Sequence, residues 1–315
     1  MNMSKAENSV ICPLCASTDV LALESVAGRH LKTLYARLID VARTGDGIWT
    51  DCVYSHCATC DLRFFAGAET GDERFYNLLQ EYPWYYENTK NEFAQAAQHI
   101  EPGMKVLDVG AGSGAFHAYA AEAEYVGLEL SAGAQVAAGA RGIDVRRQPV
   151  EDFAAAHPGS CDAVFSFQVL EHVANPGAFL GGCVNALREG GKLFISVPAW
   201  DGFPGRAVNA PLNLPPHHLS RWSRHSLENI ARRFQLRLVS LEIEPLQRVH
   251  VSSAAHAQLN LAVRELLGLS PRCVDMSTVG RFAERLANVA LRVGIRPPPR
   301  LGGHSAIAVY ERVIA

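Results

Sequence analysis

Four of the eight cysteines stand in two tight pairs, Cys12-Pro13-Leu14-Cys15 and Cys57-Ala58-Thr59-Cys60. Two C-x-x-C pairs offer four thiolates from two short knuckles, which is tetrahedral zinc spacing. Such a site is closed by protein sulfur on every side, so Zn²⁺ there is expected to be structural. Outside an oxidising compartment the pattern reads as metal ligation before disulfide. His56 and Cys52 lie close by as competing donors. Cys161, Cys183 and Cys273 are scattered singly and read, like Cys52, as small packing residues. A second cluster begins at Val106-Leu107-Asp108-Val109-Gly110-Ala111-Gly112-Ser113-Gly114, an apolar run entering a glycine turn. Glycine lets a ligand approach the backbone with no Cβ in the way. Glu129 ends the next apolar run about twenty residues on, where an acid accepts both ribose hydroxyls of a nucleoside. A third group is the loop Leu214-Pro215-Pro216-His217-His218-Leu219-Ser220-Arg221-Trp222. Histidines there are poor helix filler and suited to handling protons.

These residues need a frame to hold them. Apolar runs at 105–109, 125–129, 145–147, 163–167 and 192–197 alternate with helical stretches, the signature of an α/β domain. Residues 116–121 read as the helix after the glycine turn. Gly190-Gly191 reads as a helix stop before the fifth run. Two further β-like runs, 237–243 and 305–313, bracket helical periodicity at 256–267 and 280–293. Pro297-Pro298-Pro299 reads as a stiff connector.

At roughly 100–200 residues per domain, 315 residues make one large domain or two modest ones. Hydrophobic content of 48 % with 19 % charge suffices for a buried core. A net charge of −3 supplies no broad footprint for a nucleic-acid backbone. No run of about 18 apolar residues occurs, so no membrane partner is expected. The polar first ten residues lack the apolar stretch of a secretory signal. The expectation is a cytoplasmic protein with a small-molecule substrate.

The glycine turn admits two cofactors. Gly110-x-Gly112-x-x-Ala115 also satisfies the dinucleotide pattern, which keeps an NAD(P) oxidoreductase open. Against it, Asp108 sits two residues before the first glycine, placed to meet an amino-acid ammonium group rather than a pyrophosphate. The turn also lies well inside the chain.

Taken together, V-L-D-V-G-A-G-S-G, G-L-E-L-S, C-D-A-V-F-S-F-Q-V-L-E-H-V and G-G-K-L-F-I-S-V-P resemble the class I S-adenosylmethionine-dependent methyltransferases. The resemblance covers residues 104–198, and the two late β-runs are similar to that fold's antiparallel last strands. It implies that Asp108 and the backbone of Gly110, Gly112 and Gly114 hold the methionine part of S-adenosyl-L-methionine, and Glu129 the ribose. The turn Val150-Glu151-Asp152 would flank the adenine, with Pro149 where the family often has an acid. Gln168 would lie beside the sulfonium, and Tyr86 would precede a helix covering the cofactor.

The N-terminal layout, C-P-x-C followed by C-x-x-C-D-L-R-F-F, resembles the zinc-carrying sugar C-methyltransferases, which act on nucleotide-linked deoxysugars. In those enzymes the loop after the fifth strand reads E-H-L-S. His218 falls on the histidine and is the first choice of base, with His172 second. His217 replaces the acid, which moves the expectation from carbon toward oxygen or nitrogen methylation. Glu171 and His172 have a plainer reading as caps of the following helix. With a later histidine they also look like the E-x-x-E-H site of Mg²⁺-holding methyltransferases, except that Gln168 stands at the first acid.

The expected architecture is a Rossmann-like, seven-stranded α/β methyltransferase sheet with a small zinc-binding β module and a helical insertion before the last strand. The divisions are 1–66 for the module, 67–103 for a linker and cofactor-covering helix, 104–250 for the core, 251–303 for the insertion and 304–315 for the final strand. A nucleic-acid or protein methyltransferase that reads its target through the zinc module is the remaining alternative.

Overall fold

Residues 10–82, 85, 91–295 and 301–314 are described by a computed structural model. The chain opens with β1 (Val20–Val26), α1 (Gly28–Tyr35), β2 (Cys52–Cys57), β3 (Arg63–Ala66), α2 (Glu73–Gln80) and α3 (Asn91–Ala97). It continues through β4 (Lys105–Val109), β5 (Glu124–Leu128), α4 (Ala132–Gly139), β6 (Val145–Arg146), α5 (Val150–Ala156), β7 (Cys161–Phe167), α6 (Pro176–Ala186) and β8 (Leu187–Pro198). The last third holds β9 (Ser220–Arg221), α7 (Arg224–Arg233), β10 (Leu236–Ile243), α8 (Val251–Leu266), α9 (Thr278–Arg292) and β11 (Ser305–Arg312).

All seven apolar runs of the sequence become strands of one sheet, ordered β10-β11-β8-β7-β4-β5-β6. β6, β5, β4, β7 and β8 run parallel, and β11 lies antiparallel between β8 and β10. Successive strand residues face opposite sides, so each central strand feeds two cores. Leu107, Val164, Leu193 and Ile195 pack on one side. Val106, Phe165, Phe167 and Phe194 pack on the other, with Phe93 and Phe116. The continuous apolar reading of these runs follows from burial on both faces.

Three local expectations need correction. Residues 116–121 do not make an α-helix. Ala115–Tyr119 is a single 3₁₀ stretch with no side chain capping it at Gly114, and buried Phe116 draws it flat onto the sheet. Gly190-Gly191 does not precede the strand but lies inside it. β8 starts directly after α6, and Cys161 faces Leu187 while Ala163 faces Lys192. The surplus residues bulge outward at Gly190, whose φ of +71° suits glycine. Val150-Glu151-Asp152 is not a turn but the first turn of α5, begun at Pro149.

β9 was not anticipated, since two residues are too few to show a pattern. It completes a second sheet, β1-β2-β3-β9. This sheet shares a core with the larger one: Cys12, Leu14, Cys57, Cys60, Leu62 and Phe64 pack in the same cluster as Leu107, Ile195, Trp222 and Tyr310. Trp222 is 0 % exposed and sits where the two sheets meet. It bridges to Ala199 beyond β8, and its indole donates to Ser220 Oγ at 3.0 Å. Truncating such a side chain leaves a cavity that neighbours fill only in part. Trp222→Ala is expected to lower unfolding stability by about 3–5 kcal/mol in urea titrations. A loss below about 1 kcal/mol would show that the sheets do not depend on this contact.

Candidate active site

The first half of the site grows from the end of β4. Asp108 is 2 % exposed, and Tyr125 from neighbouring β5 donates its hydroxyl to Asp108 Oδ2 at 2.7 Å. Burial and the Asp108 charge push the Tyr125 phenol up, so it remains a donor. Past Val109 the chain turns at Gly110, with φ of +80°. A Cβ there would lie 2.2 Å from Val169 Cγ2, so the turn and its packing both demand glycine. Glu129 follows β5 and closes the turn from the side. Its Oε2 accepts from the Gly112 amide at 3.0 Å and its Oε1 from the Ser131 amide at 2.8 Å. An ionised carboxylate has about four lone-pair sites, so capacity for ribose hydroxyls is left.

Asp108, Gly110, Gly112, Glu129, Val150, Glu151 and Gln168 all line one cavity of 1540 Å³. Gly114 is buried and Asp152 exposed, and neither lines it. Tyr86 lies outside the described residues. Gln168 adopts a φ of +57°, an uncommon backbone for a side-chain-bearing residue. This turns its amide toward Ser305 Oγ, to which it donates at 3.3 Å.

The second half lies in the same cavity and comes from two loops. His172 ends a 3₁₀ turn after β7, while His217 and His218 precede β9. The rings converge: His172 is 4.4 Å from His217 and 4.8 Å from His218, centroid to centroid. His217 and His218 stack at 4.6 Å. Glu171, only 1 % exposed, sets Oε1 3.8 Å from His172 Nε2 and 3.9 Å from His218 Nε2. Burial, and then His172, holds His217 well below the usual imidazole range; burial and then His217 do the same for His218. The reading of Glu171 and His172 as helix caps is overturned, because Asn175 Oδ1 caps α6 by accepting from Ala178 at 3.1 Å.

The loop holding these imidazoles is itself pinned. The Leu219 amide donates to the Glu171 carbonyl at 2.8 Å, joining the two loops. Arg221 is 5 % exposed, lies over the rings of Tyr54, Phe65 and Trp200, and donates to the Asn213 carbonyl at 2.8 Å. Asn213 in turn meets His218 Nδ1 at 3.4 Å.

The cysteine pairs meet as well. Cys12 and Cys60 sulfurs lie 3.6 Å apart, and Cys15 and Cys57 sulfurs 3.5 Å. Four thiolates about one zinc, at bonds of about 2.3 Å, stand roughly 3.8 Å apart, so these free cysteines fit a tetrahedral site. His56 is engaged elsewhere, with Nε2 2.7 Å from Asp61 Oδ1. Cys52 packs in a separate core with Leu31 and Tyr54.

Sequence reasoning missed the role of Tyr125, and read His217 as a loop residue rather than the third imidazole of a cluster that the resemblance had drawn from Glu171, His172 and one later histidine. The one available signal was a carboxylate inside the apolar run Val169-Leu170-Glu171-His172-Val173, a position that burial makes costly unless charge is compensated.

A methyltransferase-domain family model matches residues 84–241, half of the chain. The ubiquinone biosynthesis O-methyltransferase of Xanthomonas campestris pv. campestris (strain B100) is 38 % identical over 109 residues, 32 % of this chain and 46 % of that protein. The enzyme of the same name from Xanthomonas oryzae pv. oryzae (strain PXO99A) is 39 % identical over 102 residues, 30 % of this chain and 43 % of its own. The match thus spans less than half the length of these relatives. Among solved structures, a SAM-dependent methyltransferase from Archaeoglobus fulgidus superposes with a TM-score of 0.50 at 17 % identity, covering 75 % of this chain and 100 % of that one. Haemonchus contortus Phospholethanolamine N-methyltransferase 2 does so with a TM-score of 0.51 at 14 % identity, covering 77 % and 58 %. These likenesses show the fold, and the family match sets aside the dinucleotide reading of the glycine turn. With β4, its glycine turn and Glu129 arranged as described, the chain belongs to the class I S-adenosylmethionine-dependent methyltransferases.

Proposed function

We propose that this methyltransferase moves the methyl group of S-adenosyl-L-methionine to an oxygen of a small hydroxylated metabolite, a saccharide or nucleotide-linked sugar. The observation that carries the reading is that one cavity contains both Asp108–Glu129 and the His172–His217–His218 cluster. Ligand pockets commonly run about 300–1,000 Å³. A cavity of 1540 Å³ therefore has room for a cofactor and an acceptor together. Oxygen is favoured because the acid of the carbon-methylating loop is replaced by His217, and because the curated relatives are named O-methyltransferases.

The cofactor half binds and the histidine half acts. Asp108 would meet the ammonium group, Gly110 and Gly112 the methionine backbone, and Glu129 the ribose, with Val150 and Glu151 beside the adenine and Gln168 near the sulfonium. Catalysis of methyl displacement is mostly alignment of the attacking atom with the S–CH₃ bond, together with removal of the acceptor's proton. That proton is lost at the histidine cluster, with His218 first and His172 second among the residues responsible. The four cysteines would hold a structural Zn²⁺ at the edge of the smaller sheet.

Three measurements test this reading. S-adenosylhomocysteine is expected to bind in calorimetry, and Glu129→Ala to weaken it by about 1–3 kcal/mol through loss of a part-buried acceptor. NADH binding in its place would overturn the cofactor assignment. In an assay of nucleotide sugars as methyl acceptors, His218→Ala is expected to lower turnover by about 10²–10⁴-fold with S-adenosylhomocysteine affinity unchanged. Full turnover in that variant would place proton removal elsewhere. Cys15→Ser or Cys60→Ser is expected to remove about one zinc per chain and lower the melting temperature, while cofactor affinity persists. Unchanged zinc content would refute the four-thiolate site.

A further inference from the structure

We propose that the α8–α9 hairpin builds a sugar subsite in the cavity, in which Glu284, Asn288 and His256 bind the hydroxyl groups of an uncharged sugar ring. The subsite rests on the saccharide reading above and names the residues that recognise that acceptor. Both helices line the cavity that holds the glycine turn and the histidine cluster. Glu284, Asn288 and Leu291 stand at i, i+4 and i+7, so one face of α9 is turned inward. His256 lines the same space from α8. Phe282, Leu286 and Val289 lie on another face of α9 and are exposed. A helix packed on a closed core turns its polar residues outward. Here two of them look inward, onto space that a ligand can fill.

The carboxylate of Glu284 is fixed from two sides. Arg37 of α1 donates to its Oε1 at 3.0 Å, and Asn209 donates to its Oε2 at 3.1 Å. An ionised carboxylate has about four lone-pair sites, so capacity for sugar hydroxyls is left. Asn209 is a positioning residue. Its side chain donates to the Asp275 carbonyl at 3.0 Å and accepts from the Asp275 amide at 2.8 Å. Its φ of +54° is left-handed, a conformation that side-chain-bearing residues adopt where a site needs fixed geometry. Burial holds the His256 imidazole below its usual range, against the pull of Glu284. A neutral imidazole offers one donor and one acceptor, the pair that a hydroxyl group requires.

Charge decides the class of ligand. Arg147 is the single lysine or arginine among the described lining residues, and it donates to the Leu130 carbonyl at the cofactor end. The hairpin end therefore meets a phosphate with no basic side chain. Arg37 balances Glu284, which removes a preference for an ammonium group. Donors and acceptors without net charge match the hydroxyls of a neutral sugar ring. An apolar ring would strip water from Glu284 and Asn288 and return no hydrogen bond.

The test is steady-state methyl transfer to a panel of UDP-hexoses and methyl glycosides, with catechol as a flat aromatic probe. Glu284→Gln keeps the shape of the side chain. It is expected to raise KM for the best sugar acceptor about tenfold or more, with kcat held within a factor of about two. His256→Ala is expected to raise KM about three- to tenfold. Phe282→Ser, on the exposed side of α9, is expected to change neither constant. Wild-type affinity for S-adenosylhomocysteine in all three variants shows that the fold survives. An unchanged KM in Glu284→Gln, or an equal rise with catechol, would overturn the subsite and leave the saccharide reading in place. A fall in kcat at constant KM would do the same. Transfer to none of the sugars, whether or not catechol is methylated, would overturn the saccharide reading and the subsite with it.

Discussion

The Phe65 amide donates to the Leu219 carbonyl at 2.9 Å, and through that bond β3 takes hold of the loop that carries His217 and His218. Two residue pairs, Arg63–Arg221 and Phe64–Ser220, make up the whole β3–β9 ladder. Yet the position of the imidazoles rests on it. β9 begins two residues after His218, and a shift of one residue in the pairing would send every side chain to the opposite face. β3 is in turn fixed by the knuckle of Cys57 and Cys60 that joins it to β2. Asp61 in that knuckle meets both His56 and Ser223, the residue that caps α7. The cysteine sheet lines none of the cavity itself, but it holds the loop that places His217 and His218 in it.

Strong periodicity made the seven-stranded sheet legible in the sequence. Its runs are apolar on both faces and punctuated by turn residues, and the two late runs needed only to be added at the edge. The cofactor half was legible for a related reason, since a glycine turn between a strand and a helix-like segment leaves a mark within a few residues. The histidine half was legible only in part. Resemblance alone singled out His218, His172 and Glu171; that His217 joins them was hidden, because Glu171 and His172 lie far along the chain from His217 and His218 and nothing local marks all four as neighbours. β9 is invisible because two residues carry no pattern; its strand geometry is imposed by β3. The glycines of β8 misled for the opposite reason: a local stop signal was overruled by pairing with β7, which absorbed the surplus as a bulge.

Electrostatics separates the halves of the cavity. On the cofactor side, acids are met by donors: the Tyr125 hydroxyl on Asp108, and the Gly112 and Ser131 amides on Glu129. That environment suits the cationic, hydroxyl-bearing cofactor of the proposed reading. On the histidine side, burial keeps His217 and His218 from charging, and the Glu171 carboxylate faces Nε2 of His172 and of His218. Under the proposed reading, ionising a hydroxyl there would put negative charge near the sulfonium, which the methyl transfer would neutralise.

The common core beneath both sheets divides the ways in which this protein can fail. Asp108, Glu129 and the glycine turn hang on β4 and β5, while the histidine loop hangs on β3 through β9. Oxidation at the cysteine knuckles would loosen the second scaffold and spare the first. The damaged molecule would still capture S-adenosylmethionine but present no acceptor to it. On the proposed reading it would then act as a sink for the methyl donor, holding the cofactor without spending it.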